Sequence, residues 1–326
     1  MSDMGTLYVD RSGGRLELDG EVLVLRHAGE APRHVPAALI RRVVLRAATE
    51  LDSRVLAGLA ALGIGLIAFG GRRGDRVAHL VGGSHADVQR RIAQARCVDD
   101  DMFRTEWGRA TVAAKLRGQQ RLLARAARQR PDLRKPLHDA VLAVAAARRS
   151  LPTACRMDVI RGIEGAGAAA YFRGYAELFP ASLGFRARRR RPPPDVVNAT
   201  LSLGYTLLHA LAAEACHAEG LDPAVGFLHE PTRGRASLAC DLMEPWRARV
   251  DALVWTLFRD RVLAATHGAR DGSGACLLGK AGRAHFYEAW SSIAGPLRRT
   301  LARHARIATA AFDARAGMRA ATEVPA

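Results

Sequence analysis

The hydrophobic pattern of this sequence changes period near residue 83, and this change constrains the fold more than any other feature. Before it, runs such as TLYVD and RLELDGEVLVL alternate apolar and polar residues, which is typical of half-buried strands. After it, long stretches rich in Ala, Leu, Arg and Gln indicate helices. We therefore expect an α+β chain with a small, β-sandwich-like sheet domain over residues 1–83 and a larger all-α domain over residues 84–326.

Turn signals subdivide the N-terminal part. Asp19-Gly20 lies between two apolar runs and predicts a hairpin. Asp52 or Ser53 can cap a following helix that Gly63 ends. The uncharged stretch VLAGLAALGIGLIAFGG falls short of the ~20 residues that a membrane-spanning helix needs, so we expect a buried helix that turns into a strand. The remaining strands are predicted at residues 43–45, 66–69 and 77–81.

The C-terminal part contains helical segments separated by proline and glycine clusters. Between the third and fourth of these segments lies the sequence FRARRRRPPP, a basic run that a proline triplet closes and that we expect to be an exposed connector. Helices are predicted at about residues 87–129, 136–150, 155–179, 195–219, 244–266 and 283–303.

The charge of the chain favours a polyanionic partner. The sequence has 49 basic and 32 acidic residues, a formal net charge of +17, and its only lysines are Lys115, Lys135 and Lys280. Arginine's planar fork binds phosphate through two hydrogen bonds and stays ionised, so nucleic acid is the expected partner. A genome-wide preference for arginine over lysine would explain the ratio of the two but not the excess of positive charge.

The cysteines and the N-terminus indicate the cellular compartment of the protein. The five cysteines contain no C-x-x-C pair, which argues against a zinc knuckle and against a disulfide framework. The polar first 14 residues lack the charged and then apolar layout of a signal peptide. We therefore expect a soluble protein of the reducing cytoplasm, without a membrane partner.

Three segments of the helical part combine residues that could carry chemistry. Glu164 lies in a helix of small and apolar residues, where a carboxylate needs a cation or a hydrogen-bond donor. An ion pair with Arg161 or Arg173 would meet that need without any function. His229 follows an apolar approach, GFL, and an imidazole there can bind a divalent metal, act as a base or serve only the structure.

The third segment is SLACDLMEPWR, in which Asp241 and Glu244 lie three residues apart and would share a face of a helical turn. Two adjacent carboxylates repel unless a cation separates them, so the pair invites a metal ion or an arginine such as Arg247. The alternative is a helix N-terminus, where the acids complement the helix dipole and Pro245 takes the first-turn position.

Taken in order, these segments resemble the CRISPR-associated adaptation integrase and endonuclease family, Cas1 (Cas-one). The motif E-G-x-x-A-A-x-Y reads here from Glu164 to Tyr171. The run P-P-x-D-x-x-N-A-x-L-S-L-G-Y is matched in its essentials by Pro193, Pro194, Asp195, Asn198, Ala199, Leu201 to Gly204 and Tyr205. G-F-L-H and S-L-x-x-D-L-M-E-P-W-R follow at residues 226–229 and 237–247. The resemblance covers nearly the whole chain and matches that family's two-domain plan.

The resemblance implies a metal-dependent enzyme that inserts short DNA fragments into a CRISPR array by attack of a 3′-hydroxyl on a phosphodiester. It assigns the metal to Glu164, His229 and Glu244, with Asp241 as a further acid of the catalytic site, and position 244 carries Glu where many members have Asp. Oxygen and imidazole ligands suit Mg²⁺ or Mn²⁺. His229 can act as a metal ligand or as a proton shuttle.

The expected partners are double-stranded DNA, a second copy of the chain that contacts it through the β-domain, and the small adaptation protein Cas2 (Cas-two), all implied by the resemblance. Arginines near the predicted site or in the connector are candidates for DNA contact. These candidates are Arg188, Arg189, Arg190, Arg191, Arg233 and Arg247.

Other functions stay open at the level of the sequence. A transposon-borne integrase would use the same chemistry, although the chain ends without an evident helix-turn-helix module. A DNA-binding scaffold that has lost catalysis is a second alternative, which the presence of all four site residues disfavours. An RNA-binding protein would fit the charge, but the sequence lacks the aromatic strand signature of the usual RNA-binding modules.

Overall fold

In a computed structural model, which describes residues 5–70, 76–80, 88–272 and 274–322, the chain forms two compact units, residues 1–86 and residues 87–326. The segment Gly82-Gly83-Ser84, where the boundary is predicted, lies outside the described residues. The α+β class is confirmed, with small sheets in the first unit and mostly helices in the second.

The N-terminal unit contains two four-stranded sheets. In one, the order is β1-β5-β7-β8, with β8 antiparallel to β7 and the other pairs parallel. In the other, the order is β4-β3-β2-β6, with β6 parallel to β2 and the other pairs antiparallel. The strands are β1 (Gly5–Val9), β2 (Gly14–Asp19), β3 (Val22–His27), β4 (Arg33–Pro36), β5 (Ile40–Leu45), β6 (Thr49–Leu51), β7 (Gly65–Gly70) and β8 (Arg76–Leu80).

Local sequence signals position most of this unit. The predicted hairpin is confirmed, since β2 pairs with β3 and Gly20 adopts a φ of 56° in the turn. The predicted helix α1 (Ser53–Ala61) begins after Asp52, whose carboxylate accepts a hydrogen bond from the backbone N–H of Arg54. Strands β4 and β6 were not predicted, because both are too short to show an alternating pattern.

The N-terminal core fills the space between apolar faces of both sheets and α1. Leu16 and Leu23 come from one sheet, Val43 and Leu66 from the other, and Leu59 from α1, and all five are buried. Burying apolar surface stabilises such a unit by roughly 25 cal/mol per Å². The alternation that marked these strands in the sequence therefore reflects one buried face on each sheet.

In the second unit, α7, α8 and α9 pack against α6 (Val196–Ala218), and α3, α4 and α5 pack against one another. The sequence of α6 is apolar on nearly all sides, and 17 of its residues are buried. The α-helices of this unit are α2 (Val88–Arg96), α3 (Asp101–Gln129), α4 (Arg134–Ser150), α5 (Met157–Ala176), α6 (Val196–Ala218), α7 (Ser237–Met243), α8 (Arg247–Arg259) and α9 (Lys280–Thr322).

Helix ends differ from the predictions where side chains interrupt or extend a helix. The helix predicted over residues 87–129 divides before Asp100, which caps α3 by accepting a hydrogen bond from the N–H of Phe103. Residues 244–246 form a 3₁₀ turn between α7 and α8, because Pro245 has no N–H and fits only a first turn. The predicted helix over residues 283–303 extends in both directions as α9.

The helical unit also contains a short two-stranded sheet, which corrects the prediction of an all-α domain. Strands β9 (Gly268–Arg270) and β10 (Cys276–Leu278) pair antiparallel. Each strand has three residues, too few for the sequence pattern to indicate them. By length and composition, α6 is the one helix among the described residues that could span a membrane, but 83% of its most apolar window is buried inside the protein.

Candidate functional site

Four segments of the helical unit bring the predicted site residues together. Glu164 lies on α5, His229 lies in the loop between α6 and α7, and Glu244 begins the 3₁₀ turn after α7. The fourth segment is α3, whose Lys115 contacts two of them. Helices α5 and α3 pack closely here, since a Cβ atom on Gly167 would lie 2.6 Å from a side-chain methyl of Leu116.

The Lys115 ammonium forms the centre of the site. It donates a hydrogen bond to Oε1 of Glu164, and its Nζ lies 2.6 Å from Oε2 of Glu244. Both Lys115 and Glu244 are nearly inaccessible, with side-chain exposures of 8% and 3%, whereas Glu164 retains 29%. One buried cation thus holds together two carboxylates that would otherwise repel each other.

Glu244 is ionised because cations compensate its burial. Burial by itself would raise the pKa of this carboxyl, but the charges of Arg247 and Lys115 lower it to about 2. Its Oε1 accepts a hydrogen bond from Nε of Arg247 at 2.8 Å and lies 4.0 Å from Nε2 of His229. Its buried Oε2, despite the nearby ammonium, accepts no hydrogen bond of ordinary geometry.

Asp241 fixes the loop that carries His229. Its fully buried carboxylate accepts hydrogen bonds from the backbone N–H groups of Phe227, Leu228 and His229 and from the indole of Trp107. The same carboxylate lies 2.7 Å from Nδ1 of His229. Because an ionised carboxylate only accepts, Nδ1 is the donor in this contact, and Nε2 is the nitrogen on the side of Glu244.

Lys115 joins Glu164 to Glu244, and Nε2 of His229 lies 4.0 Å from Oε1 of Glu244, so the three predicted residues are linked in one series of contacts. In the described residues, no three His, Cys, Asp or Glu side chains are close enough to hold one metal ion. The prediction that Glu164 pairs with Arg161 or Arg173 was wrong, because its ion-pair partner is Lys115. Arg161 instead binds Glu230 and the carbonyl of Leu228. Asp241 has its oxygens occupied by five donors, so it positions the loop rather than facing outward.

The candidate DNA-binding arginines fall into two groups. Arg188 is half-buried and donates to Asn198 and Ser202, and Arg247 is buried against Glu244 and the ring of Tyr205. These two side chains therefore serve the interior of the unit, in contrast to the prediction for them. The remaining four are exposed: Arg189, Arg190, Arg191 and Arg233.

A groove of about 820 Å³ adjoins the site between α3, α8 and α9. Its wall includes Trp246, which follows Glu244 in the 3₁₀ turn, and small residues such as Ala114 and Ala248. Six exposed arginines line it: Arg259 pairs with Asp260, and within the described part of the chain the other five form no ion pair. These five are Arg117, Arg121, Arg125, Arg249 and Arg303. The groove therefore presents uncompensated positive charge next to the site.

Sequence reasoning missed Lys115, although a signal was present. The buried face of α3 repeats at helical spacing through Thr111, Val112, Leu116 and Gln119, and Lys115 lies within it. A lysine inside a buried helical stripe requires an anionic partner, and lysine is rare in this arginine-rich chain. The pattern thus predicts a buried acid near Lys115, but it does not indicate which one.

The comparisons with known proteins agree with the resemblance. The sequence profile of the family described as CRISPR associated protein Cas1 matches residues 7–292. The CRISPR-associated endonuclease Cas1 1 of Thermodesulfovibrio yellowstonii is 32% identical over 286 residues, which cover 87% of this chain and 89% of the relative. The CRISPR-associated endonuclease Cas1 2 of Rhodospirillum rubrum is 35% identical over 299 residues, 88% of this chain and 85% of the relative.

Solved structures share the fold at lower identity. A CAS1 protein from Thermotoga maritima superposes with a TM-score of 0.82 at 21% identity, covering 95% of this chain and 97% of that one. A casposase bound to its integration product superposes with a TM-score of 0.81 at 20% identity, covering 94% and 91% of the two chains. At this identity, the two superpositions show that the fold is shared.

We expect Lys115→Met to destabilise the protein by about 3 kcal/mol at pH 7, because it removes the cation that Glu164 and Glu244 share and leaves Glu244 with Arg247 alone. Urea unfolding measures this loss. Because the pKa of Glu244 is lowered to about 2, its contribution is present above pH 4.5 and is lost as the pH falls. The difference from wild type should therefore shrink between pH 4.5 and pH 2. The exposed Lys135→Met is the control, with a change within about 0.5 kcal/mol; equal effects of the two variants would contradict the bridging role.

We expect Gly226→Ala to displace the loop that carries His229. An added Cβ would lie 2.5 Å from the backbone carbon of Ser237 and 2.7 Å from the backbone nitrogen of Leu238, so the loop itself must move, at a cost of about 1–3 kcal/mol. Gly165→Ala is the matched control, because its Cβ meets open space on a helix and should stabilise by roughly 0.5–1 kcal/mol. Urea unfolding and the NMR signals of the His229 imidazole test this; an unchanged imidazole in Gly226→Ala would refute it.

Proposed function

The chain belongs to the CRISPR-associated Cas1 family, and from this membership we propose that it is a metal-dependent DNA endonuclease and integrase. It would join the 3′-hydroxyl of a short DNA fragment to a phosphodiester of a CRISPR array and so add a new spacer. The observation that carries the proposal is the convergence of Glu164, His229 and Glu244 from three separate segments on one cation-binding cluster.

By ligand type, although not by the present spacing of the side chains, the donor set of this cluster suits a divalent metal. Glu164 and Glu244 supply carboxylate oxygens, His229 supplies an imidazole nitrogen with a free lone pair, and Glu244 Oε2 is buried without a well-directed hydrogen bond. Such mixed oxygen and nitrogen ligands suit Mn²⁺ or Mg²⁺. When bound, the ion supplies activation of an oxygen nucleophile and stabilisation of charge on the phosphate.

Each residue of the cluster has a task that follows from its contacts. Glu164 and Glu244 would hold the ion, and His229 would contribute Nε2 either as a ligand or as the acceptor of a proton. Asp241 keeps Nδ1 of His229 protonated and the loop in place. Lys115 would balance the charge of the two carboxylates, and its flexible side chain would allow its ammonium to contact a phosphate oxygen instead.

Positive charge around the site supports a DNA substrate. The exposed connector arginines and the arginines of the groove leave a surface without compensating acids close to the cluster. Phosphate contacts from arginine give affinity without reading sequence. We assign DNA backbone contact to the exposed Arg189, Arg190, Arg191 and Arg233, and we assign Arg188 and Arg247 to the support of the site.

The partners follow from relatives of the same fold. One structural neighbour is a Cas6-RT-Cas1–Cas2 complex, in which the match covers 97% of this chain with a TM-score of 0.79 at 18% identity. A second neighbour is the casposase bound to DNA that it has integrated. We propose that this chain likewise works on double-stranded DNA, dimerises through its N-terminal unit and assembles with Cas2.

A transposon-borne integrase is the second candidate function, which the similarity to the casposase fold favours. The higher identity to Cas1 endonucleases supports the CRISPR function over it. Both candidates predict the same strand-joining chemistry, so the genes beside this one distinguish them. A repeat array supports spacer integration, and terminal inverted repeats support transposition.

We expect Glu164→Ala to lower strand joining by about 100-fold or more, because the cluster loses one of its two carboxylates. The assay uses a labelled short duplex, a plasmid target and Mn²⁺, with EDTA as the metal-free arm. Duplex binding should stay within a few-fold of wild type, since no positive charge is removed. Glu177→Ala, an exposed acid just beyond the end of α5, is the control and should join DNA normally. Unchanged joining by Glu164→Ala would remove the proposed mechanism.

We expect the triple variant Arg189→Gln, Arg190→Gln and Arg191→Gln to bind duplex DNA with a smaller salt dependence. Each phosphate contact contributes about 0.9 to the slope of log affinity against log salt, so the slope should fall by about 2–3. The matched control replaces three exposed cations of α4: Arg134, Lys135 and Arg149. Fluorescence anisotropy at several salt concentrations measures both slopes. If both triple variants lose the same slope, the connector is not a specific contact surface.

A further inference from the structure

A second buried cluster lies behind the site, and its centre is Asp251 of α8. This carboxylate has an exposure of 0% and accepts hydrogen bonds from the hydroxyl groups of Tyr171 and Tyr205. Tyr171 comes from α5 and Tyr205 from α6, so three helices meet at one anion. A buried carboxylate is costly unless it is hydrogen-bonded or paired with a cation, and apolar residues could fill the same space.

The cluster continues toward the site through an aromatic ring. The guanidinium of Arg247 lies over the ring of Tyr205, 4.6 Å from its centroid, and Arg188 lies 5.4 Å from the same centroid. A ring in this arrangement attracts the cation electrostatically. Donation of the Tyr205 hydroxyl to an anion increases the electron density of the ring and strengthens this attraction.

Arg247 contacts the Tyr205 ring on one side and the site residue Glu244 on the other. Its Nε donates to Oε1 of Glu244 at 2.8 Å, and this oxygen is the one that lies nearest His229. The guanidinium is planar and keeps a fixed geometry, so the position of the Tyr205 ring sets the position of the Glu244 carboxylate. A continuous path of contacts therefore runs from Asp251 through Tyr205 and Arg247 to Glu244.

We propose that Asp251 and Tyr205 are positioning residues that act through Arg247 to hold the Glu244 carboxylate in the orientation that binds the divalent ion. This inference rests on the proposed function, and it extends the site to residues that do not touch metal or DNA. Supports of this kind behind a metal ligand are worth about 10–100-fold in metal affinity or activity.

The charges along this path explain why polar side chains occupy the interior behind the site. Burial raises the pKa of Asp251 to about 6, although the hydroxyl groups of Tyr205 and Tyr171 lower it in part. The nearby guanidinium groups of Arg247 and Arg188 also favour its ionised form. An anion at this depth attracts Arg247 from one side while Glu244 attracts it from the other, so the guanidinium stays between two fixed carboxylates.

Tyr205→Phe is the direct test, and Tyr175→Phe is its matched control. Both substitutions remove one buried phenolic hydroxyl that bonds to Asp251, and both keep the ring. Tyr205 donates to the carboxylate and its ring lies under Arg247, whereas Tyr175 donates at 2.8 Å to the backbone carbonyl of Asp251. A role limited to packing would make the two variants behave alike.

Mn²⁺ binding is measured by isothermal titration calorimetry and by the shift of Tm that added Mn²⁺ produces, alongside the strand-joining rate. We expect Tyr205→Phe to bind Mn²⁺ about 10-fold more weakly, with a smaller Tm shift, and to join DNA about 10-fold more slowly at unchanged KM for DNA. Tyr175→Phe should match wild type in Mn²⁺ affinity and joining. Equal Mn²⁺ affinities in the two variants would overturn the inference.

The Mn²⁺ measurement also separates this inference from its premise. If the wild-type chain binds Mn²⁺ but does not join DNA, the proposed function fails and the affinities of Tyr205→Phe and Tyr175→Phe still decide whether the path positions Glu244. If the wild type joins DNA and the two variants bind Mn²⁺ equally, the proposed function stands and the positioning role is refuted.

Discussion

The ammonium of Lys115 between Glu164 and Glu244 is the interaction on which the rest of the site depends. Two carboxylates from different helices repel in a medium of low dielectric constant, and α3 supplies the charge that brings them together. Helix α5 also packs closely against α3 at Gly167, where an added Cβ would meet the side chain of Leu116. The contact between these two helices and the ion pairs of Lys115 therefore lie in the same part of the unit.

The loop with His229 depends on a second anion that plays a different part. Asp241 turns its carboxylate toward backbone N–H groups, and in doing so it satisfies donors that an irregular buried loop would leave unpaired. The same carboxylate orients the imidazole. Of the two acids in SLACDLMEPWR, one therefore holds the polypeptide and the other faces the cluster, a division that three residues of spacing cannot reveal.

The sequence predicted the parts of this molecule that depend on local pattern. The hairpin at Asp19-Gly20 and the cap at Asp52 follow from neighbouring residues alone, and the family motifs indicated Glu164, His229 and Glu244 as members of one site. The bridging role of Lys115 could not be predicted, because 49 residues separate it from Glu164 and only tertiary packing brings them together. The β9–β10 hairpin was missed for a related reason, since three-residue strands owe their existence to pairing rather than to propensity.

The side chains of the cluster are buried on one side and accessible to solvent on the other. A site for a large substrate requires this difference in exposure. Glu244 and Asp241 are almost completely buried and are held by charge and by backbone hydrogen bonds, whereas Glu164 and His229 keep exposures of 29% and 31%. A rigid inner half fixes the geometry, and an accessible outer half lets a substrate approach. Arg247 and the ring of Tyr205 lie behind Glu244, so a charged contact and an aromatic ring support this inner half.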